Sequence, residues 1–314
     1  MAAVTSERTE RRRQIVADAS LILVTLIWGS TFVLVKDLIR EVPPLLFLAM
    51  RFALGAITLA LVILVMRKWR GLSPTELIWG GVLGVALYAG YVFQTVGLQW
   101  TTASNAGFIT GLSVVLVPLL AIPMLRQVPG VWAWLGVGFA TVGLALLSLQ
   151  IGDRGDLQVS LNSGDAFVLV CAFAFAIHIV LVAKVAHRTD PLRLAFVQVL
   201  VCGLLSVLTS TLLENPVSDL SIEVWAGTLF MGVVATALTI TIQVSMQRFT
   251  SAVHTVLIFS LEPVFAAIFG VWLHRDRLQA IAWTGAALIL AGMLVAELGG
   301  YLAKRAGAKG IIPM

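Results

Sequence analysis

Few side chains in this sequence could do chemistry, and those few lie in apolar surroundings. Glu262 stands in FSLEPVFAAIFG (259–270), directly before Pro263. A charged side chain at the centre of a membrane helix costs about 2.5–3.5 kcal/mol on insertion scales. A proline there removes a backbone hydrogen bond. Both are tolerated where a helix bends at a polar cavity, so Pro263, and Pro118 earlier in the chain, are expected to mark helix bends. The Glu262 carboxyl then has two candidate roles, a proton-binding group or a neutral hydrogen-bonding strut, and the strut is slightly favoured. His254 lies eight residues before Glu262, about 2.2 helical turns, which puts the two on nearly one face. His178, in AFAFAIHIVLV, has no second His, Cys or carboxylate at ligand spacing, so no metal site is expected. Packing and cavity contact remain equally open for it. No paired acids and no nucleophile with its base meet at a catalytic spacing. The pattern argues against an enzyme, and no cofactor is expected.

The elements that position these groups follow from composition. Of the 314 residues, 59% are apolar and 12% charged, with mean hydropathy +0.99. Soluble domains are about a quarter charged, so the medium is lipid. Ten apolar runs near the bilayer-spanning length of about 20 residues recur, at 17–36, 44–66, 77–98, 104–125, 131–149, 164–184, 191–213, 224–246, 252–273 and 279–301. Barrel strands would alternate over about ten residues instead. The predicted class is an all-α integral membrane protein. RTERRRQ (8–14) resembles a signal-peptide start, but Asp18 interrupts the join and no cleavage pattern follows. Cys171 and Cys202 lie mid-span and give no disulfide framework.

Charge orients the chain. With a cytoplasmic N-terminus, ten spans return the C-terminus to the same side. That side then holds Arg8, Arg11, Arg12, Arg13, Arg67, Lys68, Arg70, Arg126, Lys184, Arg188, Arg193, Arg248, Lys304, Arg305 and Lys309. The opposite side holds only Lys36, Arg40, Arg154, Arg275 and Arg277. This is a positive-inside bias. It places both termini in the cytoplasm, in a bacterial setting at the inner membrane, and makes lipid rather than nucleic acid the partner of the basic surplus.

An internal repeat organises the spans. Pro44 matches Pro191 at an offset of 147, as Asp18 matches Asp165, and WTTASNAGFITGL (100–112) aligns with FTSAVHTVLIFSL (249–261) at 149. The expected boundaries are a cytoplasmic segment 1–16, a five-helix repeat 17–152, a linker 153–163, a second repeat 164–301 and a cytoplasmic tail 302–314. Because five is odd, the second half enters the membrane from the other side. Inverted repeats are a transporter architecture, with substrate held near the midplane between the halves and access alternating as they rock.

The motifs WGSTFVLVK (28–36), PPLLFLAMRF (43–52), SNAGFITGLSVVLVPLL (104–120) and SLEPVFAAIFGVWLHRDRL (260–278) resemble the EamA family of the drug/metabolite transporter superfamily. The resemblance covers residues 17–301. It implies a ten-span carrier, with amino-acid and related metabolite exporters among the characterised bacterial members, and a cavity lined by spans one, three, four, six, eight and nine. HRDR (274–277) departs from the family's usual glycine–glutamate pair.

Within that frame the polar residues pair across the repeat. Asn105 and Ser113 stand at the positions of His254 and Glu262, and Gln94 at that of Gln243. A stripe shared by inverted halves should face the pseudo-symmetry axis. Tyr88, Tyr91 and Gln94 on span three, Thr236, Thr239 and Gln243 on span eight, and Trp28, Ser30 and Thr31 on span one complete the expected cavity. Neutral donors backed by aromatics suit a small polar or zwitterionic substrate, amino acids foremost. A phosphate-rich substrate, such as a nucleotide sugar or a lipid-linked one, would want several convergent cations. Arg51 lies within a span, seven residues after Pro44, and is expected to snorkel to the interface as an anchor. Gly136 with Gly143, and Gly285 with Gly292, should form a close-packed seam, within one chain or between chains. Oligomeric state is left open.

Overall fold

The computed structural model describes residues 2–68, 71–148, 150–151, 157–158, 163–215, 217, 219–274 and 280–308. All ten apolar runs are helical. In chain order the helices are α1 (Ala2–Glu41), α2 (Pro44–Val65), α3 (Pro74–Gly97), α4 (Ala103–Gly111), α5 (Ser113–Leu125), α6 (Val131–Ser148), α7 (Ser163–Val185), α8 (Pro191–Leu213), α9 (Ile222–Gly232), α10 (Thr239–Gln247), α11 (Ala252–Phe259), α12 (Glu262–His274) and α13 (Ala280–Ala308). Spans four, eight and nine are each built from two helices. Among the described residues nine segments are long and apolar enough to cross a membrane, and α6 supplies a shorter apolar helix, Val131–Leu146. The linker contributes a two-residue antiparallel ladder, Gln150–Ile151 with Leu157–Gln158. The rest of it, and Arg275 to Arg277 of HRDR, lie outside the described residues.

Local sequence explains the helix starts. Pro44, Pro74 and Pro191 occupy first-turn positions, where a missing N–H has no intrahelical partner to lose. Ser73 and Glu76 form a reciprocal capping box on α3. Thr102 and Ser251, 149 residues apart, cap α4 and α11 through the N–H groups of Asn105 and His254.

The helix pairings repeat with the halves exchanged. α3 packs on α7, as α10 packs on α1; α5 packs on α7, as α12 packs on α1; α3 packs on α8, as α9 packs on α2. Two pairs map onto themselves, α2 with α8 and α6 with α13. That is the pattern of two interlocked, equivalent five-helix units. Small ties respect the inversion. Asp18, at the start of span one, meets His254, while Asp165, at the start of span six, accepts from Thr101 Oγ1 at 2.5 Å. These contacts lie at opposite ends of the bundle.

The glycine seam lies within one chain. A Cβ on Gly136 would sit 2.7 Å from the carbonyl oxygen of Gly292, and one on Gly292 2.6 Å from that of Gly136. A Cβ on Gly143 would meet the carbonyl of Gly285 at 2.6 Å. Backbone-to-backbone contact of this kind is how membrane helices gain packing without a hydrophobic drive. Outward-facing residues such as Leu64, Val65, Ile78, Leu212 and Leu213 are exposed, as a lipid-facing surface requires.

Spans four and nine break at equivalent places. In the first, Leu112 N–H turns back to Ile109 O at 3.1 Å; in the second, Leu261 N–H turns back to Ile258 O at 3.0 Å. Both are tight three-residue closures that end one helix and start another. Pro263 follows only the second break, since Val114 occupies its position in repeat one. The break therefore belongs to the repeat, and the proline reinforces it in one copy. α5 continues through Pro118 and Pro123, and the chain ends one helix and starts the next at Leu112. Span eight carries a further irregularity that hydrophobic periodicity does not signal, a π-helical turn over Val233–Leu238.

Candidate functional site

A cavity open toward one face lies where the two broken helices meet. Its wall is formed by Trp28, Thr31, Phe32 and Val35 of α1, Arg51 of α2, and Leu87, Tyr91, Gln94 and Leu98 of α3. Gly107, Thr110, Gly111 and Ser113 come from α4 and α5, and Phe175, His178 and Ile179 from α7. Ile240 and Gln243 of α10, and Phe259, Glu262 and Pro263 flanking the second break, close it. These are the six expected spans plus span two. The lining residues of α1, α3 and α4 lie toward the end of the bundle that carries Glu41, so the cavity reaches toward that face. At its other end, Gln247 Nε2 donates to Ile179 O at 2.6 Å and ties α10 to α7.

The π turn organises the wall next to Arg51. Arg51 Nε donates to Thr236 Oγ1 at 2.8 Å, and Nη2 reaches Ala235 O at 3.2 Å and Tyr91 Oη at 3.3 Å. The guanidinium lies over the Tyr91 ring, 4.4 Å from its centroid, a favourable cation–π position. Trp28 Nε1 donates to the same Ala235 carbonyl and to Thr239 Oγ1, both at 3.1 Å. A π turn at a functional site commonly frees backbone groups in this way.

Amide orientations follow from the network. Ile179 O can only accept, so Gln247 donates with Nε2 and offers Oε1 to Gln243 Nε2 at 3.4 Å. Gln243 Oε1 is then a buried acceptor without a partner among the described residues. His178 Nε2 meets Gln198 Oε1 at 2.7 Å, and Gln198 is the repeat-two counterpart of Arg51. Gln94 Nε2 donates to Thr110 Oγ1 at 3.3 Å. The cavity thus presents amides, hydroxyls, one guanidinium and one carboxyl between aromatic walls.

The model of the EamA-like transporter family matches residues 15–149 and 162–297, one match per repeat. The chain belongs to the EamA-like transporter family. An uncharacterized transporter of Archaeoglobus fulgidus is 32% identical to it over 290 residues, covering 91% of this chain and 87% of the relative. The Bacillus subtilis uncharacterized transporter YoaV is 23% identical, covering 88% and 94%. The chloroplastic WAT1-related protein At3g02690 of Arabidopsis thaliana is 25% identical, covering 84% of this chain and 65% of that protein. A solved structure, a crystal structure of a protein, shares the fold with TM-score 0.73 at 20% identity, covering 90% and 96%.

In this EamA-like chain the structure brings Trp28, Thr31, Tyr91, Gln94, Ser113, His178, Gln243 and Glu262 to one cavity. Six other expected residues lie elsewhere. Ser30 Oγ donates to Ile27 O within its own helix, and Tyr88 Oη donates to Thr209 on α8 at 2.9 Å. Asn105 sits in the first turn of α4, outside the wall. Thr236 and Thr239 are fully buried behind the wall, where they hold Arg51 and Trp28. His254 is separated from Glu262 by the break at Ser260–Leu261, so helical spacing does not carry from one to the other. Its Nε2 instead faces Asp18 Oδ1 at 3.0 Å. With Glu297 this makes a carboxylate–imidazole–carboxylate cluster, its ligand atoms within 4.8 Å of one another, that local sequence spacing did not foretell.

Two expected contacts differ. Arg51 does not snorkel: only 3% of it is exposed, because Thr236, Ala235 and Tyr91 satisfy it in place. The strut contact expected of Glu262 is not seen among the described residues. Its carboxyl has no hydrogen bond or ion pair among the described residues, and repeat one makes the same break with Ser113.

Proposed function

We propose that this protein exports small polar metabolites, amino acids foremost, by alternating access between its two inverted halves. The observation that carries the proposal is the cavity itself: both repeats contribute a broken helix to it, and its polar groups are few, buried and mostly neutral. Discontinuous helices meeting at a midplane cavity are how repeat-built carriers hold a substrate. The proposed setting is the bacterial inner membrane with both termini cytoplasmic, supported by the basic bias of the even-numbered loops and termini. The cavity would then lean toward the periplasmic face, and rocking of the halves would expose it to the other side. A nucleotide-sugar or lipid-linked substrate is the second reading. Arg51 favours it by supplying a cation, but a lone cation matches a diphosphate poorly.

Purified protein in proteoliposomes, loaded with radiolabelled amino acids or nucleotide sugars, tests this directly. Efflux of amino acids above that of empty vesicles is expected. Efflux of nucleotide sugars alone would overturn the substrate assignment. A C-terminal reporter active only in the periplasm should stay silent; a strong signal from a folded fusion would overturn the orientation.

A further inference from the structure

We propose that Arg51 and Glu262 are the two poles of a zwitterion site, binding the carboxylate and the ammonium group of one amino acid within this cavity. This rests on the amino-acid reading above and assigns its recognition residues. A guanidinium carries five N–H donors. Nε uses one, on Thr236, and Nη2 serves Ala235 O and Tyr91 Oη. Nη1 makes no hydrogen bond among the described residues, and Arg51 lines the cavity, so its two N–H groups are left for a ligand. Every partner of this guanidinium is neutral. Glu262 lines the same cavity and is equally uncommitted.

Trp28 and its neighbour tie α1 to the elements that carry both groups. Trp28 and Arg51 share the carbonyl of Ala235. Gly29, next in the chain, packs so closely on the second break that a Cβ would lie 2.7 Å from Glu262 O. Guanidinium and carboxyl thus line one cavity beside α1, yet they form no ion pair within 4.0 Å. A lone guanidinium and a lone carboxyl in an apolar wall are costly to hold as separate charges, and the cost falls when something bridges them. A small zwitterion does this with both of its own charges, through two charge-assisted hydrogen bonds.

The test uses the wild-type protein, purified in detergent, and thermal stabilisation by each of the twenty L-amino acids. Any amino acid that binds is then compared with its carboxamide, which lacks the anion, and its N-acetyl derivative, which lacks the cation. Each derivative should bind about tenfold to a hundredfold more weakly, the loss expected when a buried polar group is left unpaired. In Glu262→Gln, discrimination against the N-acetyl derivative should collapse while discrimination against the carboxamide persists. Equal binding of amino acid and derivatives by the wild type would overturn the zwitterion site and leave the exporter reading intact. Unchanged discrimination in Glu262→Gln would remove Glu262 from it. Binding of no amino acid at all would overturn both.

Discussion

The two broken helices make the most informative comparison in the molecule. Repeat one breaks at Leu112 and resumes with Ser113; repeat two breaks at Leu261 and resumes with Glu262. The backbone closures are the same, Leu112 to Ile109 and Leu261 to Ile258. The side chains that follow are not. A second inequality stands beside the first: Arg51 of repeat one corresponds to Gln198 of repeat two, which holds His178 instead. Duplication supplied a symmetric frame, and at the cavity each copy carries an ionisable acid or base, Arg51 or Glu262, that its counterpart position lacks. Symmetric geometry and asymmetric chemistry are thus separable here, and mutations can test them apart.

The largest effect should come from the Arg51–Gln198 inequality. Arg51→Met leaves Thr236 Oγ1 and Tyr91 Oη without this donor, at about 1–3 kcal/mol for each buried group left unpaired. Thermal unfolding in detergent should drop sharply and transport should vanish. Gln198→Met orphans only His178 and should lose markedly less stability; equal losses would mean that Arg51 is no more than packing.

The glycine seam should behave symmetrically. Gly143→Ala and its repeat equivalent Gly292→Ala each drive a Cβ against a carbonyl, and overpacking of this kind costs about 1–3 kcal/mol. Matching falls in unfolding temperature are expected, and a loss confined to one of them would break the equivalence of the halves.

Pro263→Ala sharpens the claim that the break belongs to the repeat. The restored N–H and the loosened unfolded chain nearly offset, leaving a change within about 1 kcal/mol. Transport should persist. Its complete loss would make the proline, and not the repeat, the cause of the break.

The smallest effect extends the comparison to the two ends of the bundle. At the α3–α8 end, Asp190 meets Lys68 Nζ at 2.9 Å, and Arg193 stands 3.2 Å from Glu76. Partial burial alone would raise the Asp190 pKa, but the Lys68 hydrogen bond, the Arg193 N–H and both cations outweigh it and hold it below the ordinary range. At the other end, Glu214 caps α2 through Leu45 and Leu46 N–H without such a cation pair. A carboxyl lowered in the folded state stabilises above its unfolded pKa of about 3.9 and loses that contribution as pH falls through its folded value. Asp190→Asn should therefore lower the unfolding temperature at pH 7 and flatten its decline toward pH 3. An unchanged acid limb would show that this pair contributes nothing.

Much of the fold was legible because lipid imposes long apolar runs, and a duplicated chain leaves its offset in them. Pro44 with Pro191 and Asp18 with Asp165 located the halves. The cavity was legible where helical spacing held, as for Tyr91 with Gln94 and for Trp28 with Thr31. It failed where the helix did. His254 was assigned to the Glu262 face by counting turns across a break that starts a new helix. Arg51 was read as an anchor from its nearness to Pro44. The partners that keep it inside, Ala235 and Thr236, belong to a π turn that no apolar period reveals. Proline was a partial guide: it follows one break, is absent from the other, and at Pro118 is carried within a helix.

The most direct test sets Glu262→Gln beside Ser113→Ala and wild type in one proteoliposome efflux assay with radiolabelled amino acids. Unfolding temperatures of all three should be measured in parallel. Because the carboxyl at the break belongs to Glu262 and not to its repeat-one equivalent, Ser113→Ala should export near the wild-type rate. Glu262→Gln should unfold at the wild-type temperature yet export little. Wild-type export by Glu262→Gln, or equal impairment of the two variants, would contradict the account.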